Sequence, residues 1–220
     1  MIVVSILLAF AIDAWQEKRI ARNFEVEQLV RVSAELEANS ERLQQKLDTI
    51  SAAIEGAGEF ISWMGPQPTD VSAEVYKRQW GKFYSIGTLS VLRSAAQDYL
   101  ATGRASKARH EEFRHALAVW HTYADELEDQ YDLLRVAHAH INDYLQDSVP
   151  VLHTISASGA IDENLASKFP FDHGEVLADP LMESRMAIYL IRLEFVLDQG
   201  LDLQQRQSEL MEIIVVATSE

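Results

Sequence analysis

Residues 26–61 read VEQLVRVSAELEANSERLQQKLDTISAAIEGAGEFI, and the spacing of apolar side chains in this stretch decides the fold. Stepping by three and four, the chain places Val26, Leu29, Ser33, Leu36, Ser40, Leu43, Leu47, Ile50, Ile54, Ala57 and Ile61 along one line. Recurrence at that spacing marks a helix that buries one stripe, not a strand, whose side chains alternate. Glu35, Glu37, Glu41, Arg42 and Lys46 flank the line, as a half-solvated helix requires. Gly56 and Gly58 weaken it locally. No proline falls between Trp15 and Met64, so one helix is expected to run until Gly65-Pro66-Gln67-Pro68 stops it.

Two more stripes lie downstream. One comprises His110, Phe113, Leu117, Trp120, Ala124, Leu127, Tyr131, Leu134, His138, Ile141 and Leu145, in a helix expected from a Ser106 cap to about Ser148. The other comprises Met182, Met186, Tyr189, Leu193, Val196, Gly200, Leu203, Gln207, Leu210 and Ile214, flanked by Leu190 and Leu197. Asp179-Pro180 opens this last helix, a capping carboxylate followed by proline at the first helical position. Gly200 in mid-helix suggests close approach by a neighbour. Between the first two stripes, Asp70 or Ser72 can cap a short helix to about Trp80. A loop follows over 81–87, and a second short helix is expected from Leu89 to Ala101, capped by Thr88 or Ser90 and closed by Gly103. Residues 149–178 read as irregular, with one turn around Glu163 to Ser167.

Upstream of the first stripe, Met1 to Ile12 carries no charged side chain. Asp13, Trp15, Lys18, Arg19 and Arg22 follow. An apolar run closed by tryptophan and basic residues is how a membrane helix meets lipid headgroups. Twelve residues rise roughly 18 Å against about 30 Å of hydrocarbon. Residues 1–15 are therefore expected to be the end of a longer transmembrane helix, anchored by Ile2, Val3, Val4, Ile6, Leu7, Leu8, Phe10, Ile12 and Trp15. Residues 16–220 then form the bundle domain. The expected architecture is all-α: a long-helix antiparallel bundle with an N-terminal transmembrane helix and short helices capping one end. The first long helix rises from the membrane, the second returns, and the third rises again. The loop holding Phe169-Pro170-Phe171 would then face the lipid or pack under the bundle.

Composition excludes several functions. Thirty-four acidic and 19 basic side chains give a net charge of −15, which repels nucleic acid. The eight basic residues between Glu74 and Arg114 are expected to pair with the acidic long helices. With no cysteine, disulfides, thiolate metal sites and cysteine nucleophiles are ruled out. Glu112-x-x-His115 has the spacing of half a di-iron site, but it occurs once and off the stripe. Lone His110 and His138 on apolar stripes read as core histidines before ligands. Asp125, Glu126, Glu128, Asp129 and Asp132 read as a solvated face, and His173 lacks a nucleophile motif nearby. Neither a cofactor nor a metal is expected. Trp63, Trp80, Phe83 and Tyr84 either pack as core or form an aromatic patch for a protein partner.

Some of these segments also resemble a known group. Leu8 to Arg19 looks like the end of the membrane helix in a group of uncharacterised bacterial single-pass membrane-anchored helical proteins. Tyr99 to Arg104, followed by Phe113 to Leu117, resembles that group's turn and following helix, and Ala178-Asp179-Pro180 resembles the opening of its final helix. The resemblance implies an N-terminal anchor in a bacterial inner membrane and a periplasmic helical domain, whereas Lys18, Arg19 and Arg22 after the apolar run favour a cytoplasmic one by the positive-inside rule. The group has no assigned activity, so no catalytic residue follows. The basic stretch usual in the group does not precede Met1 here. Together these readings describe a non-enzymatic accessory or scaffold protein whose partners are membrane lipid and another protein or a second copy. The alternative is a sensory bundle that binds a small ligand between helices.

Overall fold

The structure is a computed structural model that describes residues 2–84, 86–102, 108–149, 167–169 and 171–218, with backbone alone for 2–6, 9 and 108–110. Among the described residues six helices follow in order: α1 (Ile2–Ser62), α2 (Ala73–Tyr84), α3 (Ser94–Ala101), α4 (Ala108–Ser148), α5 (His173–Leu177) and α6 (Pro180–Thr218). No strand occurs among the described residues, so the all-α expectation holds. The caps expected at Ser106 and Gly103, the side chain of His110 and the turn expected from Glu163 lie outside what is described.

Sequence signals set most of the helix ends. The Ser72 hydroxyl accepts the Val75 amide at 3.3 Å and starts α2. The Asp179 carboxylate accepts the Leu181 amide at 2.8 Å at the head of α6. Asp172 does the same for Gly174 ahead of α5, a short helix inside the stretch read as irregular. Two ends differ from expectation. α2 continues through Gly81 to Tyr84, because Trp80 and Phe83 gain burial by staying on one helical face. α3 starts at Ser94, not Leu89, because its capping group comes from α1 and not from Thr88 or Ser90.

The chain forms two compact units, each supplied by several segments. The first contains residues 1–41, 92–121 and 205–220; the second contains 42–91 and 122–204. In the second unit α1 and α6 run antiparallel: Gly200 lies against Leu47, and Gln204 donates to Gln44 at 2.7 Å. A β-carbon on Gly200 would collide with a Leu47 methyl, which is the close approach its position suggested. α4 also runs against α6, since His138 lies 5.8 Å from the Tyr189 ring while Tyr144 bonds Asp179 at 2.6 Å. α2 descends against α1, with Gln79 bonded to Glu59 and Lys82 paired with Glu55 at 3.3 Å. In the first unit residues 92–101 descend along α1 from Asn39 to Glu35, and Tyr99 meets Phe113 of α4 at 5.2 Å.

These directions correct two expectations. In the second unit α1 and α4 run the same way, and α6 opposes both. The short helices do not cap an end, because α2 there and α3 in the first unit each lie along α1 as a descending leg of the bundle. The Gly65 amide bonds the Leu177 carbonyl at 3.0 Å, which puts the segment before α6 at the end where α1 stops. Phe171 packs edge-on to Tyr76 at 6.2 Å in that region, so the argument for a lipid-facing loop there falls.

The stripes on α4 and α6 match the packing closely. All ten α6 positions are buried. On α4, Ala137 and Tyr144 join the stripe and His138 is half-buried. On α1, Leu29, Leu36, Leu43, Leu47, Ile50 and Ala57 are buried as expected, but Ser33, Ser40, Ile54 and Ile61 are only partly so. Their places are taken by Val32, Asn39, Ala53 and Phe60, each one residue earlier. A 3.6-residue period lets either register follow Leu29 to Ala57, and here the bulk of Phe60 and the bonding of Asn39 select between them.

Candidate functional site

The N-terminal turns of α1 leave their apolar side chains in solvent. Leu7, Leu8, Phe10, Ile12 and Trp15 are between 52% and 67% exposed. Ile20 and Phe24 continue the exposed series, and burial begins only at Gln28 and Leu29. Arg19 lies over the Trp15 ring at 5.5 Å. Of the expected anchor, Ile2, Val3, Val4 and Ile6 lie on the same helix, their side chains outside the description. No helix among the described residues is long and apolar enough to cross a membrane. The cause is visible in the sequence: Asp13, Glu17, Lys18 and Arg19 follow within two turns of Ile12.

The aromatic candidates come together in the second unit, as core. Phe60 is their hub, with ring centroids 5.3 to 6.2 Å from Phe83, Tyr76, Trp80 and Trp63. Trp80 and Phe83 have no exposed surface, Trp63 is buried, and only Tyr84 is half-open. These four residues therefore offer no exposed aromatic patch. Phe83 also presents its carbonyl to the Tyr189 hydroxyl at 2.6 Å. Burial raises the hydroxyl pKa of both Tyr76 and Tyr189.

A set of polar contacts holds the segment after α2. The Lys46 ammonium donates to the Ile86 carbonyl at 2.6 Å and lies 5.1 Å from the Tyr131 ring. The Tyr131 hydroxyl donates to the same carbonyl at 2.6 Å, and Glu128 accepts the Val91 amide at 2.9 Å. Burial lowers the Lys46 pKa and pushes Tyr131 up to about 12. Gly87 turns the chain there at φ +64, a conformation side chains rarely adopt. In the first unit the Asn39 amide bonds both the N–H and the C=O of Leu92, at 2.9 and 2.7 Å. The Glu35 carboxylate accepts the Ser94 hydroxyl and the amides of Ala95 and Ala96 at 2.9, 2.9 and 3.0 Å. Sequence reading missed this clasp. Its one signal was a polar Asn39 one helical turn from both Leu36 and Leu43.

The remaining candidates stay apart. Glu112 and His115 are both exposed, and no group of three or more metal-binding side chains occurs among the described residues. Glu112 instead edges an open groove of about 460 Å³ in the first unit, with Glu209, Glu212, Ile213, Val216 and Ala217. His138 sits between Tyr84 and Tyr189, ring centroids 5.2 and 5.8 Å away, with Asn142 at 3.3 Å from its Nδ1. Burial lowers its pKa. His173 pairs with the Val71 carbonyl at 2.7 Å, a tether between segments of the second unit. In the acidic segment Asp125, Glu126, Asp129 and Asp132 are exposed, and Glu128 belongs to the clasp. From the basic zone, Lys82 does pair with an acidic side chain, while Arg114 donates to the carbonyls of Tyr99 and Leu100.

No protein-family model matches the chain, and comparison with characterised proteins and with solved structures finds no match. What the chain does has to be read from its own surfaces. Two of these are apolar and open: the N-terminal turns of α1, and an outward face on α4 and α6 that carries Leu133, Val136, Leu181, Ile188, Ile191 and Phe195.

Proposed function

We propose that the protein is a non-enzymatic scaffold held at a bacterial inner membrane by the first turns of α1, its bundle free to associate with protein. The observation that carries this reading is the exposure of Leu7, Leu8, Phe10, Ile12 and Trp15 on one helix. Each apolar side chain fully transferred from water is favourable by about 1.5–3 kcal/mol, so these five, each a little over half exposed, together contribute on the order of 5–10 kcal/mol. Trp15, Lys18, Arg19 and Arg22 follow the run at the place where headgroups favour such residues. The resemblance of residues 8–19 to membrane-helix ends points the same way and implies a periplasmic bundle.

Carbonate washing of membranes tests the anchor. The full chain is expected to stay with the lipid, and a chain beginning at Gln16 is expected to wash off. Release of the full chain would overturn the reading. Protease added to spheroplasts tests the side: digestion of the bundle is expected, and protection would place it in the cytoplasm.

A further inference from the structure

We propose that the second unit pairs with a second copy of this chain, antiparallel and centred on Ile188, through the apolar face that α4 and α6 share. This rests on the scaffold reading above and names the surface that would do the associating.

The face is defined by register. Arg185 of α6 donates to the His140 carbonyl of α4 and lies 5.4 Å from the Tyr144 ring. With His138 beside Tyr189, these contacts set Leu133 and Val136 level with the turns of α6 from Ile188 to Phe195. On α6 the residues Leu181, Ile188 and Phe195 fall seven apart, on the flank turned toward α4, with Ile191 alongside. All six side chains are between 43% and 54% exposed. They line up outside a stripe whose own ten positions are already buried, so the intramolecular core does not account for them.

The size fits an interface. Together the six residues leave on the order of 500 Å² of apolar surface in water, at the upper end for a monomer. One side of a standard interface covers about 800 Å², of which roughly 57% is apolar. The face therefore matches the apolar share of one partner.

Its pattern fits a copy of itself. A two-fold axis at Ile188 brings Leu181 of one copy against Phe195 of the other, twice over, as an isologous contact requires. That register confines the like-charge approach of Asp198 to Asp179, and of Asp202 to Glu175, to the two rims of the face. A parallel register would set Asp198 against its own copy, and like charges so placed repel. Arg185 is drawn back onto Tyr144 and the His140 carbonyl, away from the seam, and Arg192 borders the seam between Ile188 and Phe195. A net charge of −15 opposes any encounter between copies, so added salt should tighten the pair by screening. A basic partner on an acidic chain would show the opposite dependence.

The absence of cysteine makes the test direct. In full-length protein reconstituted in liposomes, Ile188→Cys is expected to form a disulfide dimer under mild oxidation. Leu181→Cys alone and Phe195→Cys alone are expected to fail, because like positions lie about 21 Å apart along an antiparallel pair. Mixed together, those two variants should cross-link. Sedimentation in mild detergent should show a wild-type dimer whose Kd rises at least tenfold in Ile188→Glu and in Phe195→Glu, with helicity unchanged, and falls with added salt. Absence of the Ile188→Cys cross-link, a dimer indifferent to both glutamates, or a dimer loosened by salt would each overturn the proposal. Should Ile188→Glu lose helicity, the cysteine pairs decide alone. A monomer that stays in the membrane removes the pairing and leaves the anchor. A dimer released by carbonate removes the anchor and leaves the pairing.

Discussion

The two units fill their interiors with different chemistry. Among the described residues, eight buried aromatic side chains lie in the second unit and three in the first, whereas three of the four buried polar side chains, Gln28, Asn39 and Gln207, lie in the first. Aromatic rings supply large area and prefer tilted or edge contacts, so the second unit gains stability from close fit. The first unit gains definition instead. Asn39 satisfies both backbone groups of Leu92, and Gln207 reaches the Leu36 carbonyl and the Ser40 hydroxyl at 2.7 and 2.6 Å. Polar groups buried in this way add little net stability but penalise other registers. The unit with the tight aromatic core is expected to be the last to open.

That contrast can be broken first at the aromatic hub. Phe60→Ala or Trp80→Ala should cost about 3–5 kcal/mol in denaturant unfolding, since both are fully buried. Amide exchange should quicken most in the second unit. A loss under about 1 kcal/mol would mean the rings do not hold it together.

The polar interior of the first unit should divide under mutation. Asn39→Leu should cost about 1–3 kcal/mol, because it strands the N–H and C=O of Leu92. Gln207→Leu should be neutral or raise stability by up to about 1 kcal/mol. Its amide only adds to a helical carbonyl and a hydroxyl, and its Oε1 has no partner among the described residues. Equal losses from both, measured by thermal and denaturant unfolding, would show that both polar residues are structural necessities.

Packing in the second unit is tested more finely at Gly200. Alanine there improves helix propensity by about 1 kcal/mol yet collides with Leu47, and overpacking costs about 1–3 kcal/mol. Gly200→Ala is expected to lose about 1 kcal/mol in the wild type and to stabilise a Leu47→Ala background. The same sign in both would mean that the helices can move apart.

The smallest effect concerns His138, whose pKa burial lowers. Its folded pKa lies below the unfolded value of about 6.5, so the unfolded chain takes up the proton first. Its contribution is complete above pH 6.5 and declines as pH falls through that value toward the folded pKa. Thermal midpoints measured at pH 7.5, 6.5 and 5.5 should fall across the series, and His138→Asn should flatten the part of the slope due to this residue.

Much of the fold was legible because long helices announce themselves through repeats. The α6 stripe from Met182 to Ile214 could be read residue by residue, since it continues over ten positions whereas the line through Leu181, Ile188 and Phe195 runs into Asp202. On α1 the serines at 33 and 40 lie beside Val32 and Asn39, and hydropathy could not choose between adjacent positions that differ by 100° around the helix. Chain direction is not legible for another reason. Stripes say what is buried but not which way a neighbour runs, and α2 in the second unit and α3 in the first each lie along α1 instead of capping an end. Lys46 and Glu128 in the second unit, and Glu35 in the first, read as ordinary solvated charges, because each bonds backbone groups 37 to 61 positions away.

Glu35 capping α3 bears on the order in which the chain acquires structure. A helix of eight residues is marginal alone, and here its N-terminal amides find their acceptor 60 and 61 positions earlier. α3 cannot gain that cap until a long loop has closed, and loop closure is slow compared with helix growth. The local α1, α4 and α6 segments would form early, with residues 86–101 settling onto them late. Removing the Glu35 carboxylate should then speed unfolding and leave the refolding rate almost unchanged, the kinetic mark of a contact absent from the transition state.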